Sequence, residues 1–186
     1  MTASTIELSV SQEDRRVASL AAAALGLTLL EAAIPSPIPG IKPGLANIVV
    51  LLVLLRYGWR LAAWVSLLRV VAAGLLLGSF MTPGFVLSLA GAIAALAMLG
   101  LARRLAAHAL GPVGLSVLAA FAHVGMQLAV VDVWLMPGAS LAALAPLFLA
   151  AAWVTGLVNG LAAAWLLQRL PAAEPDAAMA LPGGRA

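Results

Sequence analysis

Five ionisable residues stand inside stretches that are otherwise apolar: Glu31, Lys42, Arg69, His123 and Asp132, accompanied by the neutral polar residues Asn47, Gln127 and Asn159. A charge at such a position is costly in an apolar surrounding and is therefore a candidate for binding chemistry. Lys42 precedes Pro43 where an apolar segment begins, and proline suits the first turn of a helix. The free N–H groups and the helix dipole at such a start favour an anion, to which Lys42 adds a full charge. The plainer reading is a loop lysine reaching for water. Arg69 falls near the middle of its segment and needs an acid; Glu31 and Asp132 are the partners available. That pairing serves either the structure or a ligand. His123 and Gln127 are four residues apart and share a helix face, where they either hydrogen-bond a ligand or join two helices. Asp132 lies nine residues beyond His123, about 180° around a helix, so the two enter one pocket only if the helix bends. Asn159 reads as glue between helices.

Other chemistries are excluded. The chain has no cysteine, which removes disulfides, cysteine-ligated zinc, iron–sulfur clusters and a thiol nucleophile. No second histidine joins His123 in an apolar segment, so no metal site is expected, nor a haem held by paired histidines. There is no G-x-x-x-x-G-K-[ST] loop for ATP. Asp14, Asp132 and Asp176 are isolated, whereas prenyl chain elongation needs clustered aspartates to hold magnesium on a diphosphate. A catalytic role is not expected, and neither is a covalently bound cofactor. The pI near 10.6 does not indicate nucleic acid, because the formal charge is only +3 and the arginines stand singly or in pairs at the ends of apolar segments.

The elements that must position these residues are membrane helices. Of 186 residues, 64% are hydrophobic and 9% charged, with a mean hydropathy of +1.11; soluble domains carry roughly a quarter charged residues. Apolar segments run over Val17–Ile34, Pro43–Tyr57, Trp59–Phe80, Pro83–Leu101, Pro112–Leu135 and Leu141–Gln168, divided by proline- and glycine-rich turns. Most reach the ~20 residues that cross ~30 Å of hydrocarbon. The expected fold is an all-α integral membrane bundle of six transmembrane helices spanning residues 17–170. A polar cytoplasmic tail precedes it at 1–16, too acidic for a cleaved signal peptide, and an Ala/Pro/Gly-rich disordered tail follows at 171–186. Placing both termini inside puts Arg15, Arg16, Arg56, Arg60, Arg103, Arg104, Arg169 and Arg185 on the cytoplasmic side of an inner (cytoplasmic) membrane and leaves Lys42 outside. The second segment, with about 15 residues, rises only ~22 Å. Its start must lie below the outer surface, so the Pro/Gly-rich stretch 35–44 dips into the membrane against protein or a wet cavity. On the first segment, Ala18, Ala22 and Gly26 form a small-residue stripe that suits close helix approach, either inside the bundle or to a partner. Glu31 faces the opposite way.

The run Pro39-Gly40-Ile41-Lys42-Pro43-Gly44-Leu45-Ala46-Asn47-Ile48-Val49 resembles the signature of a membrane family known as Gx transporter or heptaprenyl diphosphate synthase component I. Leu68-Arg69-Val70, Gly78-Ser79-Phe80 and Phe85-Val86-Leu87-Ser88-Leu89-Ala90-Gly91 extend the match. Ala122-His123-Val124-Gly125-Met126-Gln127-Leu128 is similar to the family's His-Asn-x-Gly-Gln-Leu motif, with Val124 in place of asparagine and Met126 intervening. The resemblance spans about residues 17–168. It implies an architecture similar to the S components of energy-coupling-factor transporters, whose first helix docks a coupling subunit through small residues and whose outward pocket is capped by the first loop.

Three functions follow as expectations. The first is a substrate-binding subunit for uptake of a vitamin-, flavin- or isoprenoid/quinone-like compound, with Glu31, Lys42, Asn47, Arg69, His123, Gln127 and Asp132 at the site, Ala18, Ala22 and Gly26 at the docking face, and a coupling subunit and ATPases as partners. The second is a non-transport subunit of a membrane redox system that holds a non-covalent flavin or quinone, or docks flavoproteins. The third is an accessory membrane component of prenyl diphosphate metabolism.

Overall fold

The computed structural model describes residues 12–33, 44–105, 109–137 and 143–170. Among them the chain is helical and contains no strand: α1 (Gln12–Ala33), α2 (Leu45–Tyr57), α3 (Trp59–Leu76), α4 (Pro83–Leu105), α5 (Pro112–Val130) and α6 (Ala145–Arg169). A π-helical turn at Val131–Leu135 prolongs α5. The two tails, apart from residues 12–16, the stretch 34–43 with Lys42, and His108 lie outside the described residues.

Five helices are long and apolar enough to cross a membrane: Asp14–Ala33, Trp59–Leu76, Pro83–Leu105, Pro112–Leu135 and Ala145–Arg169. The expectation of six spanning segments is thus met by five, and α2 is shorter still than its sequence implied. Its 13 residues rise only ~20 Å. Other boundaries shift locally. Helix α1 starts at Gln12, so part of the polar tail is helical. Helix α3 stops at Leu76, because Ser79 N–H returns to Gly74 O and Gly78 turns with a φ of 63°. Helix α6 starts at Ala145, with proline in its first turn.

Helix α2 is the packing centre, lying against α1, α3, α6 and α5, while α3–α4, α4–α5 and α5–α6 pack in sequence around it. Val50, Leu51, Val53 and Leu54 of α2 meet Ala62, Val65, Leu96, Leu99, Leu115 and Ala163 in one buried cluster. Burial on all sides explains why α2 reads as a continuous apolar run rather than a stripe. Gly58, at a φ of 93°, is the whole connection from α2 to α3; a side chain there is strained. Arg103 Nη1 donates to Leu54 O at 2.8 Å, and Trp59 Nε1 donates to Leu96 O at 3.2 Å. These contacts bring the end of α2, the start of α3 and the last turns of α4 together. Basic residues mark the last turns of α2 (Arg56), α4 (Arg103, Arg104) and α6 (Arg169), where they complement the helix dipoles.

The α5–α6 seam is the tightest. A Cβ at Gly156 would lie 2.9 Å from Val117 Cα, and one at Gly160 would lie 2.6 Å from Val113 Cα. Without these two glycines the helix backbones could not approach so closely. The outward faces carry large apolar side chains such as Trp64, Leu75, Ile93, Trp153, Val158 and Leu161. An exterior this apolar suits lipid rather than water.

Candidate functional site

The polar residues converge on the first turn of α2. Gly44 precedes it in the left-handed conformation (φ 72°, ψ 31°) and supplies no side-chain cap. The cap comes from another helix: the carboxylate of Glu31, in the last turn of α1, accepts the Leu45 N–H. Such an anion at a helix start satisfies an orphan donor and meets the positive end of the dipole. Asn159 Nδ2 of α6 donates to Gly44 O at 3.1 Å, and Asn47 N–H closes onto the same carbonyl at 2.8 Å. A Cβ on Gly44 would meet Asn47 Nδ2 at 3.1 Å and Asn159 Nδ2 at 3.3 Å, so a side chain there would crowd both amides as well as strain the φ of 72°.

Arg69 of α3 lies against this turn. Its Nη2 donates to Asn47 Oδ1 at 2.6 Å, and Glu31 is close enough for the two charges to attract. The side chain is 8% exposed, and its Nε has no hydrogen-bond partner among the described residues. Of the two acids the sequence offered to Arg69, the fold delivers Glu31. Asp132 sits exposed in the π-helical turn at the far end of α5, apart from the cluster.

His123 and Gln127 behave as a pair facing α4. The imidazole lies on the backbone of Gly91, whose hypothetical Cβ would be 2.7–2.8 Å from three ring atoms, and Gln127 Nε2 donates to Leu87 O at 3.4 Å. Four residues on α5 thus match four on antiparallel α4. His123 is still within electrostatic reach of Arg69 and borders the cluster, whereas Gln127 serves the helix contact. Gly91→Ala should cost about 1–2 kcal/mol by overpacking. Shortening His123 to alanine in the same chain should recover most of that loss, as thermal unfolding of the two variants would reveal.

The depth of the cluster follows from residue counting. Arg69 is ten residues from the Trp59 end of α3, Asn159 ten from the Arg169 end of α6, and His123 eleven from the start of α5. All three ends are the basic end of the bundle, so the cluster lies roughly 15–17 Å from it, near the midplane of a ~30 Å hydrocarbon layer. The short helix α2 begins at this level of the bundle, beside Arg69 and Asn159.

Asn159 joins helices, as its sequence reading had it, by tying α6 to Gly44 at the start of α2. Sequence reasoning passed over the Gly156-x-x-x-Gly160 spacing, although that spacing was available as a close-packing signal. Lys42 lies outside the described residues. Among the described residues no group of three or more His, Cys, Asp or Glu side chains is placed to hold a metal ion. Ala18, Ala22 and Gly26 are all exposed on α1, and nothing lies within 4 Å of a Cβ built on Gly26. The stripe is not used in packing among the described residues.

These features define a helical membrane-type protein with a buried polar cluster at the start of a short inner helix. The family model described as heptaprenyl diphosphate synthase component I matches residues 20–166, and the chain belongs to that family. No curated protein and no solved structure matches it.

Proposed function

We propose that this chain is a small-molecule-binding subunit of the cytoplasmic membrane, with both termini inside and α2 crossing only the inner half of the bilayer. Its substrate is a vitamin-, flavin- or isoprenoid/quinone-like compound carrying an anionic or strongly polarised group. One observation carries the reading: a guanidinium, Arg69, is buried at mid-depth beside a helix start and keeps its Nε uncommitted among the described residues. A purely structural arginine at that depth is expected to spend its donors on protein. Asn47, Glu31 and His123 line the same place, and Lys42 stands two residues before Gly44 in the sequence. Uptake would require a coupling subunit and ATPases, for which the uncovered Ala18/Ala22/Gly26 face offers a close-packing surface.

The family description favours a second reading, an accessory subunit that handles a prenyl diphosphate for a synthase. Here Arg69 would face the diphosphate, while catalysis would belong to another chain.

Both are tested by gentle purification from native membranes followed by native mass spectrometry. A retained compound that disappears in Arg69→Gln, with the tryptophan fluorescence of the fold preserved, supports a binding subunit and identifies the compound. An empty protein that stays empty with vitamins, flavins, quinones and prenyl diphosphates ends the proposal. Gly26→Leu separates the docking idea. It should leave the stability of the isolated chain unchanged and strip co-purifying subunits, and full retention of those subunits removes the α1 face from consideration.

A further inference from the structure

We infer that Glu31 is the resident anion of an oxyanion site formed by the start of α2 and Arg69, and that a ligand's carboxylate, phosphate or diphosphate group binds by taking the place of the Glu31 carboxylate. The inference rests on the small-molecule-binding reading and specifies which protein group a ligand displaces there.

Three observations converge. Helix α2 has no cap of its own, since Gly44 has no side chain, and the acceptor for Leu45 N–H arrives from α1. The same carboxylate is the opposite charge acting on Arg69. Arg69, about nine-tenths buried, reaches the first turn of α2 through Asn47 with Nη2 only, and its Nε is unmatched among the described residues. A guanidinium holds an oxyanion bidentately through parallel N–H groups, and Nε with a neighbouring terminal nitrogen forms one such fork. Glu31 supplies charge balance without filling that fork. The site therefore has what an oxyanion needs: a helix start, a buried cation and a donor unmatched among the described residues. Its present occupant is tethered at the end of α1, two residues from Ala33. Two anions cannot share the place without repulsion, so an incoming oxyanion and Glu31 compete.

Competition has a sign that a structural role lacks. Glu31→Gln keeps a carbonyl oxygen to accept from Leu45 N–H and removes only the charge. In the full chain reconstituted in nanodiscs, inorganic pyrophosphate and farnesyl diphosphate serve as probes, with binding followed by calorimetry. Glu31→Gln should bind the probe about tenfold more tightly than the unmodified protein, within the range usual for coupled groups, and Arg69→Gln should lose binding. Glu31→Ala, should it fold less well, should gain more melting temperature from the probe than the unmodified protein does. Tightening for both probes means that a water-borne anion suffices. Tightening for farnesyl diphosphate alone places the ligand among bilayer amphiphiles. A probe that binds the unmodified protein as well as, or better than, Glu31→Gln overturns the inference and leaves the small-molecule reading standing. If neither probe binds either protein, the inference fails; the broader reading falls with it only if native mass spectrometry also finds no retained compound.

Discussion

Gly160→Leu is expected to separate α5 from α6 and to lower the melting temperature by roughly 6–12 °C, corresponding to about 3 kcal/mol in a chain of this size. The atoms a new Cβ would meet are Val113 Cα at 2.6 Å, Ser116 Cβ at 3.0 Å and Val113 O at 3.3 Å. Two of the three belong to backbone and cannot rotate away, so relief requires moving a whole helix. Gly156 is held in the same manner against Val117 Cα, one turn earlier. Because α6 carries Asn159 to Gly44 O, displacing the helix should also loosen the start of α2 and weaken whatever binds there. Gly26→Leu provides the matched control: the same substitution in a helix, with nothing within 4 Å of the new Cβ, should leave unfolding in detergent unchanged. Equal effects of the two substitutions would mean that helix propensity, and not the α5–α6 contact, sets the cost.

Arg69→Leu is expected to be the most damaging change in the polar cluster, at about 3 kcal/mol, because it strands two groups at once. Asn47 Oδ1 loses its 2.6 Å donor, and the buried Glu31 carboxylate loses its counter-charge. Glu31→Gln should cost less than Arg69→Leu, since its amide oxygen still accepts from Leu45 N–H and Asn47 keeps its donor, although Arg69 loses its counter-charge. The double change Glu31→Gln with Arg69→Leu should therefore be less damaging than Arg69→Leu alone, leaving a coupling energy of about 1 kcal/mol or more in a double-mutant cycle. Thermal unfolding of the four proteins in one detergent measures it. Additive losses would show that the two charges do not sense one another.

Much of this architecture was legible because the physics of burial in lipid is local. A run such as Pro112–Leu135 is apolar throughout and bounded by turn residues, so its length alone places it across a bilayer, and the structure returns that span with its last turn widened to a π-helix. The same arithmetic marked the segment after Lys42 as too short to span alone, and α2 is indeed shorter than the other helices. Boundaries were less legible where the deciding interaction comes from elsewhere in the turn. Phe80 is as apolar as Leu76, but it lies beyond the end of α3, where Gly78 turns the chain and the ring packs at 4.8 Å from Phe85.

Polarity at depth picked out Glu31, Asn47, Arg69 and His123, because a charge in an apolar segment is conspicuous in composition alone. Polarity alone could not rank them, although the helix angle from His123 already set Asp132 apart. Asp132 is as conspicuous as Glu31, yet one is exposed at the end of α5 and the other caps α2. Which acid meets Arg69 depends on how α1, α3 and α5 are rotated about their axes, and a helix that is apolar nearly all round has no stripe to reveal its rotation. The sequence by itself thus determined the solvent, the helical state, the lengths of the elements and the set of residues able to do chemistry, since each follows from side-chain transfer energies and helix rise. Only the tertiary structure decided that Gly156 and Gly160 bring α6 onto α5, that Asn159 consequently reaches Gly44, and that Glu31, rather than a residue of α2, closes the helix start beside Arg69. Those choices rest on close approach between elements distant in sequence, which only packing can express.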